Sequence, residues 1–212
     1  MGINLFFPKF HDFFVSFCRT ESLIYQSWPT TINDELLVTQ FSQGSESAFE
    51  SIIELYSADV AALANRLLGW PGDVEDLTQE VFLAAFIGLK KFRRDCSLRT
   101  WLFTITINKC RSYKYKRLLR LRRFPKPRDK ASLPSNQGAH SELMETETFE
   151  RVRHTVAALP AKYREAVVLR YLQELPTEEI SRILGISKNT LQVRLSRARE
   201  RLKQDLAELM EK

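Results

Sequence analysis

Residues 176–190 read Pro176-Thr177-Glu178-Glu179-Ile180-Ser181-Arg182-Ile183-Leu184-Gly185-Ile186-Ser187-Lys188-Asn189-Thr190. Pro176 suits the opening of a helix, where its missing N–H has no intrahelical partner to lose. Ile180, Ile183 and Leu184 follow at the spacing that gathers them on one buried face. Gly185 supplies a left-handed turn, Ile186 an apolar plug, and Ser187 an N-cap for a second helix. Short helix, glycine turn and capped second helix form the grammar of a helix-turn-helix.

The second helix separates two faces. Leu191, Leu195, Ala198 and Leu202 make one apolar stripe, while Asn189, Gln192, Val193 and Ser196 lie opposite, flanked by Lys188, Arg194 and Arg197. Amides and hydroxyls with basic flanks suit base edges and phosphates in a major groove. With Ser187 and Thr190 at its start, this helix is the candidate reader of duplex DNA. A solvated amphipathic helix has the same apolar stripe; the turn and both helices occurring together favour DNA reading. The motif serves many regulators, so the rest of the chain has to say which job it does.

Working outward, the apolar residues keep helical spacing and no alternating strand run is found, which predicts an all-α chain. Residues 1–32 carry Phe6, Phe10, Phe13, Phe14 and Phe17 on one stripe, broken by Trp28-Pro29-Thr30-Thr31. Residues 33–122 read as a compact helical domain: Asn33 or Asp34 caps a short helix ended by Gly44, and Ser45 caps a long one ended by Gly69 and Pro71. Asp73 caps a third, and a polar loop leads to a fourth from about Thr100. Residues 123–147, with Pro125, Pro127, Pro134, Asn136 and Gly138, read as a flexible linker. Residues 148–212 read as a second small helical domain containing the helix-turn-helix. One of its helices carries Phe149, Val152, Val156 and Leu159, and Pro160 separates it from Tyr163–Leu172.

Composition narrows the function. The net charge of +6 favours a polyanionic partner. Cys18, Cys96 and Cys110 are odd in number and form no CxxC pair, and His11, His140 and His154 do not cluster with them. That argues against a disulfide scaffold and a zinc site, and makes a reducing cytoplasm the expected location. No apolar run reaches the roughly 18 residues of a membrane span. No nucleophile, acid–base pair or metal site stands out, so no enzymatic activity and no cofactor are expected.

The stretch Asp73-Val74-Glu75-Asp76-Leu77-Thr78-Gln79-Glu80-Val81-Phe82-Leu83 resembles the polymerase-clamp-binding helix of the sigma-70 family, closest to its extracytoplasmic-function (ECF) group. Phe92-Arg93-Arg94-Asp95-Cys96-Ser97-Leu98-Arg99-Thr100-Trp101 and the helix through Asn108 resemble the element by which those factors open and read the minus-10 sequence. Leu159-Pro160, Arg164-Glu165 and Leu169-Arg170-Tyr171, with the helix-turn-helix, resemble their minus-35 reader. The resemblance covers about residues 33–122 and 148–206. It implies an alternative sigma factor that binds core RNA polymerase at its beta-prime clamp helices and beta flap and directs initiation at chosen promoters. It also implies a possible anti-sigma partner, which nothing in the residues identifies.

The residues agree with that implication. Asp76, Gln79, Glu80 and Leu83 share a face away from Leu77 and Val81, an acidic surface with an apolar contact suited to a basic coiled coil. The helix dipole alone would also favour those acids. Thr104, Asn108, Arg111, Ser112 and Tyr115 share a face beside Trp101, suited to a flipped base and its backbone. By resemblance, Asn108 and the 92–99 loop, with Arg93, Arg94 and Ser97, form the base pocket, and Ser112 makes a second contact. Trp101 reads equally as core. A basic run from Lys114 through Lys130, opposed only by Asp129, adds phosphate affinity. The family often has a basic and then a small polar residue where Gln192 and Val193 stand, so the promoter sequence does not follow from the resemblance.

Two rivals stay open. A stand-alone helix-turn-helix regulator leaves the 73–108 resemblance unexplained. A nuclease with Asp73, Asp76 and Glu80 as metal ligands lacks a second carboxylate cluster. Residues 1–32 read as a mis-assigned or disordered start, a segment docking on the chain's own domains or a regulator, or a membrane-touching stripe.

Overall fold

The computed structural model describes residues 32–69, 73–123 and 151–206, and all regular structure among them is helical. Four helices build the first half: α1 (Ile32–Ser42), α2 (Glu46–Leu68), α3 (Val74–Leu89) and α4 (Leu98–Arg123). The second half holds α5 (residues 151–158) and α6 (Ala161–Val167), which runs into a π-helical turn, Val168–Leu172. It ends with α7 (Thr177–Leu184) and α8 (Lys188–Asp205). Phe149 and the linker prolines Pro125, Pro127 and Pro134 lie outside the described residues, as do residues 1–31.

Glycines end the helices as their freedom at positive φ allows. Gly44, Gly69 and Gly185 sit at φ of 100°, 81° and 66°. The capping pattern departs from expectation at three places. α1 starts at Ile32, ahead of Asn33 and Asp34, and the Asp34 carboxylate instead accepts the Tyr56 hydroxyl at 2.8 and 2.9 Å. Burial first, and then that hydrogen bond, push the Tyr56 phenol well above its ordinary value. Ser45 precedes α2 without capping it and pairs with the Ser47 hydroxyl at 2.9 Å. Asp73 precedes α3, and its carboxylate accepts from Tyr113 of α4 rather than from the helix end.

α4 begins at Leu98, two residues ahead of Thr100, because the Ser97 hydroxyl accepts the Thr100 N–H at 3.1 Å and closes the first turn. It continues through Arg123, so the first residue expected in the linker is helical.

The core of the first half gathers Val60, Leu63, Val81, Ala85, Leu102 and Phe103, each fully buried. Fully burying the valine, leucine and phenylalanine side chains among them stabilises by about 1.5–3 kcal/mol apiece. Phe41, Phe49, Phe82 and Phe86 pack edge-on or tilted, with centroids 5.1–6.5 Å apart, and bind α1 to the α2–α3 pair. In the second half α6 and α8 pack through Ala166, Val167, Leu191, Leu195 and Ala198.

The halves also pack on each other, α4 against α7 and α2 against the π-helical turn, so that one apolar cluster runs through both. The C-terminal end of α2 is the polar centre of this seam. The Leu67 carbonyl accepts from Lys114 at 2.5 Å and from Arg164 at 2.9 Å, while Arg66 reaches the Leu172 carbonyl at 3.0 Å. Cations at a helix C-terminus meet unpaired carbonyls and the negative end of the dipole. At Gly69 a Cβ would stand 3.2 Å from that of Ala157, so a larger residue there would force the neighbour to yield.

Candidate nucleic-acid and partner interfaces

The helix-turn-helix is assembled by local bonds. Ser187 is the N-cap of α8, its hydroxyl accepting the Thr190 N–H at 3.2 Å and meeting the Thr190 hydroxyl at 2.9 Å. Ile180, Leu191 and Ala198 are fully buried and Ile183, Leu184, Leu195 and Leu202 nearly so, while Ile186 is half-buried against them. That leaves Asn189, Gln192, Val193 and Ser196 exposed on one face, as the sequence predicted, with Arg194 half-buried at its edge. Val193 is 49% exposed, an apolar side chain displayed to solvent on an otherwise polar face.

Two of the expected basic flanks are engaged. Lys188 pairs with Glu178 of α7 at 2.5 Å, which draws the Glu178 carboxyl below its ordinary range. Arg197 donates to the Tyr163 hydroxyl and lowers that phenol. The Lys188–Glu178 pair is exposed on both sides, so its loss to phosphate would cost little.

On α3, Asp76, Gln79, Glu80 and Leu83 are all exposed, and Leu77 and Val81 are buried behind them. Glu80 meets Lys109 of α4 at 3.2 Å while remaining largely exposed. Beside this face lies a groove of about 410 Å³ between α2 and α3, walled by Phe49 and Ile53 on one side and Phe82, Leu83 and Phe86 on the other. Leu83, Phe86 and Ile87 are 63%, 42% and 70% exposed, so the face is apolar at its centre and acidic at its rim.

The α4 face is mixed. Asn108, Ser112 and Tyr115 are exposed and Thr104 is half-buried, its hydroxyl donating to the Thr100 carbonyl. Trp101 packs on Phe92 with ring centroids 5.1 Å apart, and a Cβ on Gly88 would come within 3.2 Å of it. It therefore braces α3 against α4, the core alternative raised by the sequence.

In the loop, Arg93 is exposed. Arg94, at φ 61°, donates to the Thr39 hydroxyl at 2.9 Å, and Ser97 is spent on the helix start.

For Arg111, named from the sequence as a DNA contact, what sequence reasoning missed is its partner. Its Nε and Nη2 donate to both oxygens of Glu165 at 2.8 and 2.6 Å, a bidentate pair across the seam. The Glu165 side chain is 8% exposed and that of Arg111 41%. Eleven residues along the same helix, the Thr100 hydroxyl donates to Glu179 at 2.9 Å. With 100° per residue, Thr100, Arg111 and Lys114 fall within about 60° of one another. The second half thus covers the edge of the face on which Arg111 stands and leaves Asn108, Ser112 and Tyr115 open.

A signal existed: Glu165 precedes Ala166, Val167 and Val168, and a carboxylate in an apolar stretch needs a partner. Lys114, first of the basic run, is also withdrawn into the seam, and burial followed by the nearby Arg164 lowers it to about 8. Among the described residues no cluster of metal-binding side chains occurs, and no helix is long and apolar enough to cross a membrane.

Two family models match, sigma-70 region 2 over residues 52–119 and sigma-70 region 4 over residues 149–202. The chain is 32% identical to the ECF RNA polymerase sigma-E factor of Escherichia coli (strain K12) over 80% of its length and 92% of the relative's. It is 30% identical to the ECF RNA polymerase sigma factor SigW of Bacillus subtilis (strain 168), over 81% and 96%. Among solved structures, CnrH in complex with the cytosolic domain of CnrY aligns at TM-score 0.62 and 27% identity, covering 82% of this chain and 97% of that one. The sigma factor RpoE in complex with the anti-sigma factor NepR from Bartonella quintana aligns at TM-score 0.60 and 26% identity, covering 75% and 96%.

Proposed function

The chain belongs to the ECF group of the sigma-70 family and is an alternative sigma factor, a non-enzymatic initiation factor, and from that premise we propose how its residues divide the work. The α3 face of Asp76, Gln79, Glu80 and Leu83 docks on the beta-prime clamp helices of core polymerase. Its exposed carboxylates steer it to a basic surface, and its exposed apolar centre supplies the buried contact. That face carries the reading, because a regulator acting through its helix-turn-helix alone has no use for it.

α8 reads the minus-35 duplex in the major groove. Gln192 and Ser196 hydrogen-bond base edges, Val193 meets a thymine methyl, and Lys188, Asn189, Arg194 and Arg197 hold phosphates. Asn108, Ser112 and Tyr115 on α4, with Arg93 of the loop, take the melted minus-10 strand. Domain one spans residues 33–122 and domain two residues 148–212, with the residues between them setting the spacing of the two promoter elements. The second domain also contacts the beta flap, and the protein acts in the cytoplasm, where its polymerase is.

The closed seam bears on regulation. Arg111 joins the minus-10 contacts only when Glu165 releases it, so the two halves part when polymerase and promoter are bound. An anti-sigma factor, the kind of partner that the structure of RpoE with NepR contains, would hold the factor away from polymerase.

The test is transcription in vitro from a pooled promoter library, with core polymerase in the presence and absence of the protein. New defined starts that vanish with Asp76→Ala plus Glu80→Ala support the proposal. No core binding, alongside specific duplex binding by the protein alone, replaces it with a stand-alone regulator.

A further inference from the structure

We propose that Lys162, Arg197 and Arg201, gathered around the ring of Tyr163, form a phosphate clamp on the DNA strand bordering the minus-35 groove, with Tyr163 as its positioning residue. The inference rests on the assignment of α8 to that groove. It adds Lys162, Tyr163 and Arg201 to the phosphate contacts of α8 and extends the interface to α6, outside the helix-turn-helix.

The cluster is built on a nearly buried phenol. Tyr163 stands in the first turn of α6 and is 6% exposed, where α6 packs on α8. Arg197 donates to its hydroxyl, the Arg201 guanidinium lies 5.3 Å from its ring centroid, and the Lys162 ammonium 5.0 Å from it. The face of an aromatic ring attracts cations, so one tyrosine gathers three of them. All three are exposed, and among the described residues none meets a carboxylate at ion-pair distance. Arg99, Lys109, Arg111 and Lys188 each have such a partner. Three like charges around one ring repel one another, and an anion from outside relieves that repulsion.

The position of the cluster points to DNA. Val193, Arg197 and Arg201 follow one another at four-residue spacing on α8, a row that drifts by about 40° per step. The row starts on the exposed reading face and ends against α6, so Arg197 and Arg201 stand at the edge of the groove, where a backbone runs. They are about 6 Å apart along the helix. Phosphates of one strand recur about every 3.4 Å of duplex axis, so the pair spans about two of them, and Lys162 widens the grip. Cations without an amide or an exposed apolar group among them hold phosphate oxygens and read no base. A guanidinium has several N–H donors, so Arg197 keeps its bond to Tyr163 and still reaches phosphate. Cations held in place beforehand lose less freedom when DNA arrives. An acidic protein surface would meet the same charges, but the continuity of the row with the reading face favours DNA.

Holoenzyme made with the full chain, on a promoter found in the pooled library, tests this. Lys162→Gln plus Arg201→Gln removes two charges from exposed positions. The slope of log affinity against log salt should become shallower by about 0.9 for each phosphate given up, equally for all minus-35 sequences. Tyr163→Phe, which removes only the hydroxyl, should weaken binding several-fold, and Tyr163→Leu, which removes the ring as well, should weaken it further. Neutral methylphosphonates placed one at a time should find one or two neighbouring positions, at the edge of the minus-35 site, where the native chain loses affinity and the double variant does not. Tyr163→Leu should show a reduced loss at the same positions, whereas a merely structural tyrosine would show the native loss. An unchanged salt slope, or a loss confined to some minus-35 sequences, overturns the clamp. So does a double variant that is impaired only when an acidic activator protein is present. If the native holoenzyme shows no minus-35 dependence at all, the assignment of α8 fails and the clamp with it. Dependence without coupling to any phosphate leaves α8 its role and sinks the clamp alone.

Discussion

α8 and α4 both carry polar faces suited to nucleic acid, and they meet the rest of the protein differently. α8 is held by its neighbours through Leu191, Leu195, Ala198 and Leu202 and turns Asn189, Gln192, Val193 and Ser196 to solvent. α4 lies along the seam between the halves, with Thr100 given to Glu179, Arg111 to Glu165 and Lys114 to the Leu67 carbonyl. The polar face of α8 stands largely open, and that of α4 is partly held by the neighbouring domain. A polar residue on the right face of a helix is therefore only a candidate contact; what it touches across the fold decides whether it is available.

Arg111→Ala breaks that comparison most sharply. It leaves the nearly buried Glu165 without its cation, and the closed form loses about 3 kcal/mol. The halves should separate, seen as a larger radius of gyration by solution scattering and as faster proteolysis between residues 123 and 151. Glu165→Gln should loosen the seam less and leave Arg111 free for DNA, so affinity for a minus-10 single strand should rise. Unchanged scattering from both variants would show that the seam does not depend on this pair.

Gln192→Ala addresses the open face of α8, the proposed minus-35 reader. Removing an amide that contacts a base edge costs about 1–3 kcal/mol of discrimination at one base pair. Run-off transcription from a minus-35 library should show one position relaxed and the minus-10 preference unchanged. A uniform loss over all sequences would instead make Gln192 a phosphate contact.

Ser187→Ala has a smaller reach. Loss of the cap of α8 costs about 1 kcal/mol. Amide exchange should quicken through residues 188–191 and stay unchanged in α2 and α3. Equal quickening in both halves would mean that the seam couples them into one folding unit.

The same contrast explains what could be read from sequence. Ser187, Thr190 and Gly185 are legible because their interactions close within three or four residues, and the buried stripes of α2, α3 and α8 because periodicity alone sorts faces. Asp34, Ser45 and Asp73 are equally good caps by type, yet none caps. Asp34 and Asp73 find tyrosine hydroxyls, Tyr56 and Tyr113, on helices distant in sequence. The Arg111–Glu165 pair spans 54 residues and two domains, a distance over which no local spacing rule operates. The acidic face on α3 was visible, but the groove beside it was not, since its walls come from two helices and only their packing opens it.

The last effect concerns the pH response of the seam and rests on Lys114. Burial, followed by repulsion from Arg164, holds Lys114 down to about 8, with Arg117 acting in the same direction and Cys110 and Glu165 against it. The unfolded chain keeps a lysine at about 10.4. Below pH 8 both states carry the proton, and the folded form bears the full cost of a half-buried ammonium. Between about 8 and 10.4 the unfolded state holds more protons, so stability rises with pH through this window and levels off above it. The urea midpoint of the native chain should therefore increase from pH 7.5 to 9.5 relative to that of Lys114→Met. The variant keeps the packing of the side chain and leaves the Leu67 carbonyl to Arg164. Parallel slopes for the two proteins would mean that Lys114 is hydrated in solution, and that the seam at the end of α2 is wetter than its hydrogen bonds indicate.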